Sequence, residues 1–184
     1  MKTLVFFGSA RSNGTTRAMV DVFLSKLKGE VEEINCYKLM VEPCRDCRYC
    51  LKVNKCVIKD EMVEIYQKID AADNFIFAAP MYCYSVPGPM KTFIDRLQVY
   101  WAAIVRKDKP EKFIKKGAYL LSGGGPSFEN QFTGGELVLK AALHDINANF
   151  IGGVLMDDAD NAKLPTRPEI IANIIKIAEQ MNGN

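Results

Sequence analysis

Histidine is the scarcest functional residue in this sequence, with His144 the only one. It falls in a segment of helical spacing, away from the glycine-bearing loops, and reads as a helix-surface residue. A Ser-His-Asp or Cys-His hydrolase mechanism is excluded, because either needs a histidine base near its nucleophile. No stretch approaches the roughly 20 apolar residues that span a bilayer, so no membrane partner is expected. Charge is balanced, with 24 Lys and Arg against 22 Asp and Glu. That leaves no basic footprint for nucleic acid or for an acidic membrane surface. There is no internal repeat and no low-complexity tract. The opening run Leu4-Val5-Phe6-Phe7 is too short for a signal-peptide core, and no cleavage site follows it. The chain is therefore expected in a reducing cytoplasm. There its six cysteines point to metal binding or redox work ahead of stable disulfides.

At 184 residues the chain is expected to form one domain, residues 1–184, with a full two-sided core. Strand and helix patterns alternate throughout. Apolar β-rich runs occur at Thr3–Phe7, Asn74–Ala79, Ala118–Leu121 and Phe150–Met156, and Val31–Cys36 alternates like a strand nearer the edge. Helical spacing connects them. It places Met19, Phe23, Leu24 and Leu27 on one face, then Met62, Ile65 and Ile69 on another. A long helix is expected from about Pro89 to Arg106, with Phe93, Ile94 and Leu97 facing the core. Further helices fit Gly135–Asp145 and Pro168–Met181. Five apolar strands separated by helices imply parallel β-α-β units covered on both faces. Right-handed crossovers leave few topologies, and the flavodoxin-like doubly wound order 2-1-3-4-5 suits this length. That order puts a ligand at the carboxyl ends of strands 1, 3 and 4.

Those three strand ends carry the unusual loops. The first, Gly8-Ser9-Ala10-Arg11-Ser12-Asn13-Gly14-Thr15-Thr16, joins a strand to a helix, so its amides and the helix N-terminus form an anion site. Ser9, Thr15 and Thr16 add hydroxyl donors and Arg11 a positive charge, a set suited to a phosphate monoester. It has no Lys before its Ser/Thr, as a nucleotide-hydrolase P-loop requires. Nor does it carry Gly-x-Gly-x-x-Gly, as a dinucleotide fingerprint requires. Without a cysteine it cannot be a phosphatase loop. The second loop, Pro80-Met81-Tyr82-Cys83-Tyr84-Ser85-Val86-Pro87-Gly88-Pro89, offers a platform for a flat ring, although its tyrosines are equally consistent with ordinary half-buried packing. Cys83 reads as a small buried hydrophobe. The third, Ser122-Gly123-Gly124-Gly125-Pro126-Ser127, lets another backbone approach the same ligand, since three consecutive glycines carry a large ordering entropy.

Between strand 2 and the next helix lies a cysteine-dense insertion, about residues 43–57. Cys44, Cys47, Cys50 and Cys56 form C-x2-C-x2-C-x5-C. Three evenly spaced thiolates can hold three corners of a [4Fe–4S] cubane, leaving the fourth iron to Cys56; bacterial ferredoxins open the same way. Arg45, Arg48, Lys52, Lys55 and Lys59 crowd the loop, and positive charge stabilises an anionic cluster. Four thiolates also satisfy tetrahedral zinc, and a metal-free loop is the third reading. Cys36 lies outside the pattern and is assigned to the core.

Gly8 to Thr16, Pro80 to Ser85 and Lys91-Thr92-Phe93-Ile94-Asp95-Arg96 together resemble the NADPH-dependent FMN reductase and multimeric flavodoxin group. With the cysteines included, the chain most resembles the iron–sulfur flavoproteins within it. The resemblance spans about the first two-thirds of the chain and implies FMN as cofactor. It assigns Ser9, Arg11, Asn13, Gly14, Thr15 and Thr16 to the phosphate loop. Pro80, Met81, Tyr82, Tyr84, Ser85, Gly123, Gly124 and Gly125 fall to the ribityl chain and ring. It also implies a homodimer or homotetramer in which one subunit's cluster approaches another's flavin.

Asp95 and Arg96 read as a structural pair fixing their helix. Asp157, Asp158 and Asp160 read as a solvated turn, and Asp60 and Glu61 as helix N-terminal residues favoured by the dipole. Tyr100 and Trp101 fit either the core or a subunit interface. Three functions remain open. One is an iron–sulfur flavoprotein oxidoreductase passing electrons from a ferredoxin-like donor to a small acceptor. Another is an NAD(P)H-dependent FMN or quinone reductase without a cluster. The last is a flavodoxin-like carrier with no substrate of its own.

Overall fold

A computed structural model describes residues 1–108 and 115–183. Five strands, β1 (Lys2–Phe7), β2 (Glu30–Asn35), β3 (Asn74–Pro80), β4 (Lys115–Ser122) and β5 (Ala148–Met156), form one sheet. All neighbours are parallel and the order is β2-β1-β3-β4-β5. The doubly wound expectation is thus met. Parallel strands need both faces covered, and the alternation in β1 shows how this is done. Leu4 and Phe6 enter one core with Phe75 and Phe77 of β3. Val5 and Phe7 enter the other with Ile76 and Ala78.

Helices α1 (Thr15–Leu24) and α6 (Pro168–Asn182) cover the second face through Met19, Val20, Phe23, Ile170 and Ile174. The first face is covered by α2 (Met62–Ala71), α3 (Gly88–Asp95) and α5 (Thr133–Asp145). Their contacts there include Met62, Ile65, Met90, Phe93 and Leu139.

The long helix expected from Pro89 to Arg106 is two helices. α3 ends at Asp95 and α4 (Gln98–Val105) begins after a break at Arg96-Leu97. The amides of Arg96 and Leu97 bond back only three residues, to the carbonyls of Phe93 and Ile94. The expected Asp95–Arg96 pair is absent. Asp95 instead takes Lys91 at 2.6 Å, while Arg96 pairs with Asp60. The break turns the Arg96 side chain away from its own helix and toward the cysteine segment. Tyr100 is tied by its hydroxyl to the Tyr66 carbonyl and to Asp70, whereas Trp101 stays half exposed.

Candidate functional site

The carboxyl ends of β1, β3 and β4 meet at one cleft of about 560 Å³, within the range of small-ligand sites. Its first wall is the segment between β1 and α1. Ser9 is buried, and its hydroxyl accepts the Arg11 amide at 3.2 Å, which curls the loop back on itself. Thr16 is buried too, with its hydroxyl 2.8 Å from that of Ser122 at the end of β4. Helix α1 opens on Gly14 without any side-chain cap. Its first amides therefore have neither intrahelical partners nor a cap, and they carry the positive end of the helix dipole. Arg11 and Asn13 are exposed at the rim. Such a wall can receive an anion.

The second wall is the segment after β3. Pro80, Met81 and Tyr82 line the cleft. Tyr82 and Ser85 then exchange both backbone hydrogen bonds, at 2.8 and 3.0 Å, making a two-residue hairpin. Its tip residues, Cys83 and Tyr84, have φ of 50° and 62°. Hairpins of this length favour left-handed tips, but they normally use Asn or Gly there. A Cys-Tyr tip carries strain of a kind that clusters at functional sites. Cys83 is exposed, which corrects its reading as a buried hydrophobe. Tyr84 leans its ring edge-on against Phe128 at 5.7 Å and, like Ser85, stands beside the cleft and not in its lining. The hairpin abuts α5 at Gly134, where an added Cβ would come within 2.2 Å of the Tyr84 carbonyl oxygen. Gly134→Ala is expected to destabilise the fold by about 1–3 kcal/mol through this overpacking, as read by urea denaturation.

In the third wall, Ser122 and Gly124 face the cleft, while Gly123 and Gly125 do not line it. The carbonyls of Gly123, Gly124 and Gly125 accept the amides of Ala159, Asp160 and Asp158 at 2.9, 3.0 and 2.7 Å. A Cβ on Gly124 would meet the Asp160 carboxylate at 2.5 Å. The glycines thus bring a fourth wall into place. Ala159, Asp160, Lys163, Leu164 and Pro165, after β5, also line the cleft. Sequence reasoning passed over this segment, taking Asp160 for part of a solvated turn. The signal was topological, since the loop after β5 leaves the same sheet edge as the others. Asp157 is engaged by Arg167.

A second cavity is lined by Cys44, Cys47, Cys50 and Cys56 together with Arg96 and Trp101. Asp46 and Arg48, on either side of Cys47, have φ of 45° and 57°, so the chain curls tightly between Cys44 and Cys50. Among the described residues, no three His, Cys, Asp or Glu side chains are grouped so as to hold a metal ion. Burial pushes the Cys50 thiol up, and the neighbouring thiols of Cys44, Cys56 and Cys47 add to the effect. Cys36 lies in the core, its thiol pushed up to about 12 by burial, and is inert as a nucleophile or ligand.

Arg96 organises this segment. Its guanidinium, 1% exposed, makes a two-pronged pair with Asp60 at 2.6 and 3.1 Å. It also donates to the Glu42 carbonyl at 2.8 Å and to Cys56 Sγ at 3.5 Å. Breaking one side of such a pair costs about 3–5 kcal/mol. Burial alone would raise the Asp60 pKa, but Arg96 and the amides of Glu42 and Met62 together hold it below the usual carboxylate range. The depressed folded value means the pair is fully stabilising above the ordinary aspartate pKa of about 3.9. That contribution is lost as pH falls further, through the depressed value. Asp60→Asn is expected to flatten this acid limb of a urea-midpoint-versus-pH curve.

A doubly wound parallel sheet in the order 2-1-3-4-5, with a cleft at the carboxyl ends of β1, β3 and β4, defines a flavodoxin-like class of protein. The family model for NADPH-dependent FMN reductase matches residues 1–158, and the chain belongs to that family. An iron–sulfur flavoprotein of Methanosarcina thermophila is 31% identical over 79% of this chain and 72% of its own length. One from Archaeoglobus fulgidus is 35% identical over 54% of this chain, which spans only 47% of that relative. The solved NAD(P)H:quinone oxidoreductase of Methanothermobacter marburgensis shares the fold, with a TM-score of 0.72 at 14% identity over 100% of this chain and 97% of its own.

Proposed function

We propose that the cleft holds FMN with its phosphate on the Ser9–Thr16 segment and its ring toward Met81, Tyr82 and Gly124, and that the chain passes electrons between a donor and a small acceptor such as a quinone. The observation that carries this reading is the convergence of three strand-end loops on one cleft beside an uncapped helix N-terminus. Thr15, Thr16 and the opening amides of α1 suit a phosphate dianion, and Arg11 and Lys163 supply cationic charge along the lining. The buried Thr16–Ser122 contact fixes the first and third walls relative to each other. Ala159, Asp160, Lys163, Leu164 and Pro165 line the remaining side of the cleft. When bound, FMN supplies the one- and two-electron chemistry. The chain's own part is to bind, orient and shield.

The four cysteines suit a [4Fe–4S] cluster. All four line one cavity, and they are free thiols. The shape of the assignment is a single domain, residues 1–184, acting as a homodimer or homotetramer with NAD(P)H or a ferredoxin-like protein as donor. An anaerobic absorption spectrum with iron and acid-labile sulfide assays tests the cluster. Four irons per chain support it, and their absence leaves the NAD(P)H-dependent reductase without a cluster. Stopped-flow mixing with NADPH then separates a reductase, which bleaches rapidly, from a carrier, which does not.

A further inference from the structure

We propose that Arg96 is a positioning residue for the sulfur-rich group of the cysteine cavity, holding Cys56 and presenting a remaining N–H donor to sulfur. The inference rests on the cluster reading of the four cysteines. The arginines of the insertion itself are poorly placed for such a role. Arg45 is exposed and paired with Glu42, and Arg48 is exposed beside Asp46. Arg96 is different. It is buried, it lines the cysteine cavity, and Nη2 lies 3.5 Å from Cys56 Sγ. Nη1 and Nη2 also serve Asp60 and the Glu42 carbonyl. Nε is buried and has no hydrogen-bond partner among the described residues. A buried donor left without a partner is costly, and the cavity that Arg96 lines is rich in thiols. Sulfur acceptors there would satisfy it.

The arrangement spans the insertion, because Glu42 precedes Cys44, Asp60 follows Cys56, and Arg96 touches both sides from the break between α3 and α4. Hydrogen bonds to cluster sulfurs and local charge set the reduction potential. Arg96 therefore acts on the stability and potential of the cluster, and it is not part of the flavin cleft's lining. Removing it withdraws N–H donors and leaves the Asp60 carboxylate alone beside the cavity. Both changes lower the potential.

The test uses anaerobically reconstituted full-length protein carrying Arg96→Gln or Arg96→Lys. FMN content reports folding, chelator-driven bleaching reports cluster loss, and an EPR-monitored titration reports the cluster potential. Arg96→Gln is expected to speed cluster loss at least about tenfold, the usual scale for groups behind metal ligands, and to lower the potential. Arg96→Lys keeps the charge beside Asp60 but not the planar fork. It is expected to fall between wild type and Arg96→Gln with FMN content unchanged, and it decides the matter if Arg96→Gln loses FMN through misfolding. Potentials and loss rates equal to wild type in the folded variants would overturn the inference. So would lowered global stability with an unmoved potential, which would leave Arg96 a purely structural tie. Wild-type protein without iron and sulfide would instead defeat the cluster reading itself.

Discussion

Replacing Arg11 and Thr15 together by alanine is expected to weaken FMN binding by about 100-fold while leaving riboflavin binding nearly unchanged. Each residue offers a donor to a phosphate dianion, and hydrogen bonds to charged groups contribute about 1.5–3 kcal/mol. Arg11 is exposed and solvent-screened, so the lower figure applies to each. About 3 kcal/mol in total corresponds to two decades in Kd. Riboflavin lacks the phosphate and senses neither change. The α1 amides survive in the double variant, so FMN affinity falls without vanishing. Flavin fluorescence titration with both ligands checks this. Equal weakening of the two would mean that the loop's contribution is not to a phosphate.

The second large effect concerns Cys47→Ala, which is expected to abolish the cluster, with iron and sulfide falling to background, while FMN affinity stays within about twofold. Cys47 sits between two residues in left-handed backbone, Asp46 and Arg48, so no neighbouring side chain can take its place without rebuilding the loop. The two cavities share no lining residue, and independent sites respond independently. Metal analysis and flavin titration on the same preparation read both. Flavin loss in step with cluster loss would contradict the two-site account.

What the sequence disclosed and what it withheld follow one physical division. The central strands β1, β3 and β4 were legible because parallel strands buried on two faces leave continuous apolar runs, and the sheet edge followed from the alternation of strands with helices. The first wall of the cleft was legible because its polar groups are local, all within the nine consecutive positions from Gly8 to Thr16. Tertiary forces acted elsewhere. Nothing between Pro89 and Arg106 marks a helix break, since it coincides with the reach of Arg96 to Asp60 and Glu42, far away in sequence. The left-handed tip at Cys83 and Tyr84 uses residues that do not announce positive φ. The 159–165 wall became visible only once the glycine carbonyls after β4 were seen to bind the amides after β5.

The claim on which the rest depends is that the amide-rich turn after β1 grips a phosphate dianion. Phosphorus NMR of the FMN-loaded protein tests it most directly. A free phosphate monoester titrates with a second pKa of about 6; the bound cofactor is expected to give a displaced resonance that stays dianionic and flat as pH is lowered through that value. A bound-cofactor resonance that titrates like free FMN would show a phosphate left in solvent, and would contradict it.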